Sequence, residues 1–151
     1  MWFGATYGNP QNRGGGSNMV AWTSDGSILF PCRIPGSKVA WEYQVQRPDT
    51  DHFNRDFKPE LARGGTEIYR LDPQNGMIRR LTSSEPAVWD FRPSISPDDE
   101  RIVFCRAATG EVPAIWVMKA DGSDPHKLTA GLDNQGADHP RWLPQPRRPT
   151  S

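Results

Sequence analysis

The sequence predicts an all-β fold, a partial β-propeller of about two complete four-stranded blades plus one strand of a third, read as a fragment of a larger ring. Three observations lead there. The 151 residues include 15 Pro and 14 Gly, which interrupt the chain too often for long helices. Glu67 to Pro97 aligns without a gap on Ala114 to Pro144 at a constant offset of 47 residues, a period that belongs to propeller blades. Each unit also divides into short β-prone runs separated by turn residues.

The second unit shows the pattern most clearly. Arg92 to Ser96 reads as its first strand, Pro97-Asp98-Asp99-Glu100 as a turn, and Arg101 to Arg106 as a second strand. Ala107-Ala108-Thr109-Gly110 turns the chain into Ala114 to Lys119, where apolar residues on both faces suit a strand covered on each side. Asp121-Gly122 forms the next hairpin, since a tight turn asks for positive φ at its centre, and Pro125 to Thr129 closes the blade. In the first unit Met19 to Thr23, Ile28 to Arg33 and Glu67 to Leu71 repeat the order. Ile68-Tyr69 falls on Ile115-Trp116, Leu71 on Met118, and Arg80-Leu81-Thr82 on Lys127-Leu128-Thr129. The first unit is longer, with 37 residues between Phe30 and Ile68 where Phe104 and Ile115 enclose 10. Pro140 to Leu143 begins a third unit.

The expected organisation is therefore an N-terminal segment at 1–16, a possible remnant of a preceding blade, then a first blade at 17–82 with an insertion at about 37–65. A second blade at 83–129, the start of a third at 130–144 and a disordered tail at 145–151 follow. Two blades and one strand do not close a ring of four to eight, so further blades or self-assembly are expected to complete it.

Charge and hydropathy narrow the function classes. Eighteen basic and eighteen acidic residues cancel, which gives no field to draw nucleic acid, and no run approaches the length of a membrane span. The N-terminus lacks the basic start and apolar core of a secretory signal. Cys32 and Cys105, each following an apolar run, are expected as small buried core residues. No Gly-x-Ser-x-Gly elbow, phosphate-binding loop or paired-cysteine zinc motif occurs. Neither a cofactor nor a metal is expected.

The run Ile115-Trp116-Val117-Met118-Lys119-Ala120-Asp121-Gly122-Ser123, with Leu128-Thr129 and Pro93-Ser94-Ile95-Ser96-Pro97-Asp98, resembles the TolB-like propeller repeat over roughly residues 17 to 144. That resemblance implies a propeller and a periplasmic or secreted setting. The repeat serves biopolymer-transport proteins, the propellers of prolyl-oligopeptidase-like peptidases, and lyases similar to oligogalacturonate lyase, so fold does not choose among these roles. The expected function is a non-catalytic binding or scaffold module that contacts proteins or a polysaccharide through its loops. The alternative is a fragment of a polysaccharide lyase-like enzyme.

Either function would sit most naturally on the insertion, because a long loop on a rigid scaffold presents side chains a blade cannot. Trp41 and Tyr43 offer flat apolar faces there, while His52, Arg55 and Asp56 add an imidazole, a cation and a carboxylate. His139, at the entrance to the third unit's first strand, completes the set of expected ligand-binding residues. No residue is assigned to catalysis under the binding reading. Under the lyase reading His52, Asp56 and His139 move the proton, and a cation such as Arg55 meets the carboxylate.

Overall fold

The computed structural model describes residues 20–34, 41–43, 55–57, 64–83, 88–108, 111–132, 136–137 and 139–143, which contain ten strands and no helix. Eight strands form one sheet in which two four-stranded antiparallel units stand side by side. The first unit is β1 (Ala21–Trp22), β2 (Ile28–Arg33), β5 (Gly65–Leu71) and β6 (Ile78–Arg80). The second is β7 (Val88–Ile95), β8 (Arg101–Ala108), β9 (Ala114–Lys119) and β10 (His126–Lys127). Each is a propeller blade, and the all-β partial propeller read from the sequence is the fold of the chain. The remaining strands, β3 (Trp41–Tyr43) and β4 (Arg55–Phe57), pair with each other inside the insertion.

The 47-residue repeat is visible in the hydrogen bonds themselves. In the first blade the Leu81 amide donates to the Ile68 carbonyl at 2.8 Å, and the Thr82 hydroxyl accepts from the Ile68 amide at 2.9 Å. In the second blade Leu128 donates to Ile115 at 2.8 Å, and Thr129 accepts from Ile115 at 3.1 Å. Each partner lies 47 residues beyond its counterpart, so the same sequence positions perform the same backbone work twice.

Turns are built by side-chain carboxylates that occupy the amide two residues on, a local substitute for a ladder bond. Asp25 accepts from Ser27, Asp72 from Gln74, Asp98 from Glu100 and Asp121 from Ser123. The turn hydrogen bonds hold the Asp98 and Asp121 carboxyls below the usual carboxylate range, and Asp25 well below it, led in each by a neighbouring hydroxyl.

The apolar core lies between the blades. Leu29, Ile68 and Leu81 from the first blade meet Ile102, Phe104 and Met118 from the second, with Ala21, Ile95 and Trp116 packed at the margin. Removing each large side chain from water contributes roughly 1.5–3 kcal/mol, and here the gain exists only while the two blades touch. The blades are also tied by polar contacts. The Ser24 amide donates to the Asp99 carboxylate at 2.9 Å, and Arg79 donates to the Asp121 carbonyl at 2.8 Å. Two glycines allow the backbones this near. A Cβ on Gly65 would lie 1.8 Å from the Val88 carbonyl oxygen, and one on Gly122 would lie 2.4 Å from that of Leu81.

Several features depart from the sequence expectation. β7 begins at Val88, four residues before Arg92, and its first two residues pair in parallel with Gly65 and Thr66 of β5. The first strand of the first blade spans Ala21 and Trp22, paired with Leu29 and Ile28, where Met19 to Thr23 was expected. Residues 139–143, expected as a first strand, form no strand. Cys105 is fully buried as expected, whereas Cys32 is exposed, on the outer side of an outward-facing blade. The segments 1–16 and 145–151 lie outside the described residues.

Candidate functional site

Two places on this scaffold carry the expected site residues. The first is the insertion, whose ends are clipped by the Ile34 amide donating to the Gly65 carbonyl at 2.9 Å. Between them β3 and β4 run antiparallel in the register Trp41 opposite Phe57, Glu42 opposite Asp56 and Tyr43 opposite Arg55. In this register Trp41, Tyr43, Arg55 and Phe57 take the two outer pair positions and Glu42 with Asp56 the pair between them. The hairpin thus brings the backbone of Trp41 and Tyr43 alongside that of Arg55 and Asp56, all four singled out from sequence. His52 lies outside the described residues.

The second place is the corner where Arg92 and His139 occur, one repeat apart and each directly before a proline. Arg92 has φ 54° and His139 φ 57°. A following proline disfavours the right-handed helical region, and both residues take the left-handed one, which costs a non-glycine residue about 1–2 kcal/mol. In β7 the consequence is a bulge between Phe91 and Ser94 that sets the Arg92 guanidinium over the Phe91 ring at 5.3 Å. Although His139 is an exposed residue, partial desolvation of its ring, then the Arg92 and Arg141 charges, hold its imidazole below the ordinary value. The corner is therefore cationic and contains a nitrogen base biased toward its neutral form. His139 is brought to Arg92 and Arg141.

Beneath this corner sits a pair that sequence reasoning missed. Asp90, its side chain fully buried, accepts from Arg106 Nε at 2.7 Å and from its terminal nitrogen at 2.8 Å. The Arg106 guanidinium also lies 4.7 Å from the Trp116 ring and 5.4 Å from Phe104. In the sequence Asp90 stands near the entrance to a first strand, a place similar to that of Asp138 in the next repeat. Counting back from Ile95 opposite Ile102 would set Asp90 against Ala107; the bulge between Phe91 and Ser94 shifts the register by one and places Asp90 opposite Arg106. Elsewhere Tyr69 donates to Glu67 at 3.0 Å, and burial first, then that carboxylate, pushes the phenol upward. Among the described residues no three His, Cys, Asp or Glu side chains group as metal ligands.

No protein-family model matches the chain. Among solved structures it is similar to one assigned to TolB from Agrobacterium tumefaciens, at 17% identity and a TM-score of 0.40, covering 72% of this chain and 47% of that one. It is also similar to TolB from Acinetobacter baumannii, at 19% identity and a TM-score of 0.40, covering 75% of this chain and 32% of that one. The chain spans less than half the length of either structure.

Proposed function

We propose that this chain is a binding and scaffold module of TolB-like type that contacts a protein or an acidic polymer through the hairpin inserted between β2 and β5. The observation that carries the reading is the register of that hairpin, which pairs Trp41 with Phe57 and Tyr43 with Arg55. Flat apolar rings beside a guanidinium suit a sugar ring or an extended peptide: the rings supply area, the cation supplies direction. The two blades give the hairpin a fixed base. Its test is a calorimetric titration with an oligogalacturonate ladder and, in parallel, selection from a displayed peptide library. Binding lost in Trp41→Ala and in Arg55→Ala supports the module; binding that both variants leave unchanged rejects the hairpin as its site.

A second reading, polysaccharide lyase-like chemistry, draws support from the cationic corner. In such a β-elimination a base removes the proton beside the uronate carboxylate, those electrons form the double bond, and the leaving sugar oxygen is expelled and protonated. His139, kept toward its neutral form, is the base type this step needs, and Arg92 and Arg141 are the cation type that meets the carboxylate. Incubation with oligogalacturonate, followed by ultraviolet absorbance of unsaturated ends, separates the readings. Product that His139→Ala abolishes supports the lyase, and no product rejects it.

A further inference from the structure

The turn that joins β5 to β6 contains Asn75 followed by Gly76, and of the six asparagines in the chain only Asn75 precedes a glycine. Residues 73–80 are exposed. An asparagine carries an electrophile, its side-chain amide carbon, next to the backbone nitrogen of the following residue, and a glycine in that place hinders their approach least. Here the approach is open: a Cβ built on Gly76, at φ 71°, would have nothing within 4 Å.

The hydrogen bonds of the turn act on this reaction in opposite directions. Asn75 Oδ1 accepts from the Met77 amide at 2.8 Å. When the carbon bonded to it is attacked, negative charge develops on that oxygen, and an N–H already aimed at it stabilises the charge. The Gly76 amide donates to the Asp72 carbonyl at 2.9 Å and releases this bond before its nitrogen attacks. Losing one exposed hydrogen bond slows the step by at most roughly tenfold. The corresponding turn of the second blade, Asp121-Gly122-Ser123, contains no asparagine, and Gly122 is pressed against the Leu81 carbonyl. Of the two outer turns, the reaction therefore belongs to the first blade.

We propose that Asn75 is a modification site, deamidated spontaneously in the folded chain so that the turn between β5 and β6 is marked with age. The Gly76 nitrogen gives up its proton to solvent and bonds to Asn75 Cγ; the bond from Cγ to Nδ2 breaks, and that nitrogen takes up a proton and leaves as ammonia. Water then opens the cyclic imide at either carbonyl. One opening gives aspartate, and the other gives isoaspartate, whose main chain runs through Cγ. The sum is amide plus water to carboxylic acid plus ammonia, with nothing oxidised or reduced. Aspartate keeps an oxygen for the Met77 amide and leaves the turn closed. Isoaspartate adds a carbon to the main chain between the Asp72 amide and the Met77 carbonyl, and the 2.9 Å bond that closes the turn is lost. The next strand, β6, is three exposed residues long and leads into Leu81 of the core, so the isoaspartyl product loosens the outer strand first.

The experiment follows the whole chain during storage at mildly alkaline pH, folded and in guanidinium chloride, by charge-based separation and peptide mapping with mass spectrometry. The expected product carries one added negative charge and maps to Asn75 as both aspartate and isoaspartate. It forms in the folded chain no more than roughly tenfold slower than in denaturant. Asn75→Gln, a change at an exposed position that disfavours ring closure, suppresses it, and the separated isoaspartyl fraction melts below the aspartyl one. A folded chain that protects Asn75 by more than that factor overturns the proposal. So does an added charge that maps to another asparagine, or an acidic species that Asn75→Gln leaves unchanged. Equal melting of the two fractions overturns the loosening of β6.

Discussion

Asp90 on β7 and Arg106 on β8 lie directly opposite each other and are joined by two charge-assisted hydrogen bonds of 2.7 and 2.8 Å, the carboxylate fully out of water. A buried pair of this kind adds little over a well-packed apolar pair, yet breaking it leaves one charge stranded. Asp90→Ala is expected to cost about 3–5 kcal/mol in urea unfolding. Replacing both partners, Asp90→Leu with Arg106→Met, recovers most of that loss. A double variant no more stable than Asp90→Ala would contradict this account.

The two threonines at equivalent repeat positions give a graded prediction. Thr82 is buried and accepts from the Ile68 amide, whereas Thr129 is half-buried and accepts from Ile115. Removing the acceptor from a buried N–H costs roughly 1–3 kcal/mol. Thr82→Val is expected to fall in that range and Thr129→Val below it, where water reaches the freed amide. Equal losses would mean that burial does not set the cost.

The repeat was the most legible part of this molecule because it recurs in both the residues and the bonds they make. Leu81 and Leu128 could be matched by counting. Their different fates could not, since one meets a neighbouring blade and the other meets none. Within the site, Trp41, Tyr43 and Arg55 were legible as residue types, whereas the pairing of Tyr43 with Arg55 follows only from the strand register of the insertion. Asp90 was noticed without its partner, because ion pairs across a hairpin depend on register and sequence spacing alone leaves register open.

Gly76 and Gly122 separate two costs of adding a methyl group. Both have positive φ, 71° and 89°, but only the Gly122 Cβ position is filled, by the Leu81 carbonyl. Gly76→Ala is expected to lose about 1–2 kcal/mol from backbone strain. Gly122→Ala adds overpacking at the joint and should lose on the order of 3 kcal/mol. Thermal unfolding measures both, and a Gly76→Ala loss as large as that of Gly122→Ala would remove the distinction.

The thiols should react in two phases. Cys32 is exposed, while burial pushes the Cys105 thiol up to about 12. Since the thiolate is the attacking species, a disulfide reagent at neutral pH is expected to titrate one thiol promptly and the second only on unfolding. Two equally fast thiols in the folded chain would refute the burial of Cys105.

Acid should weaken the turns. Asp25, Asp98 and Asp121 have folded values below 3.8, so the stability they contribute is complete above that value and is lost as pH falls through the lower folded ones. The melting temperature is expected to decline below about pH 4, and Asp98→Asn should flatten part of the decline. A variant with the wild-type slope would place the acid sensitivity elsewhere.

The hydrogen bond from Ile34 to Gly65 fastens the insertion at its neck, next to where β2 ends and β5 begins. Those strands meet along six register pairs, from Ile28 opposite Leu71 to Arg33 opposite Thr66. The insertion is thus an exchangeable cassette. Loop length weighs only weakly on closure entropy, so a short turn or a foreign hairpin spliced at this point should leave the blades intact, and one scaffold could present many recognition surfaces.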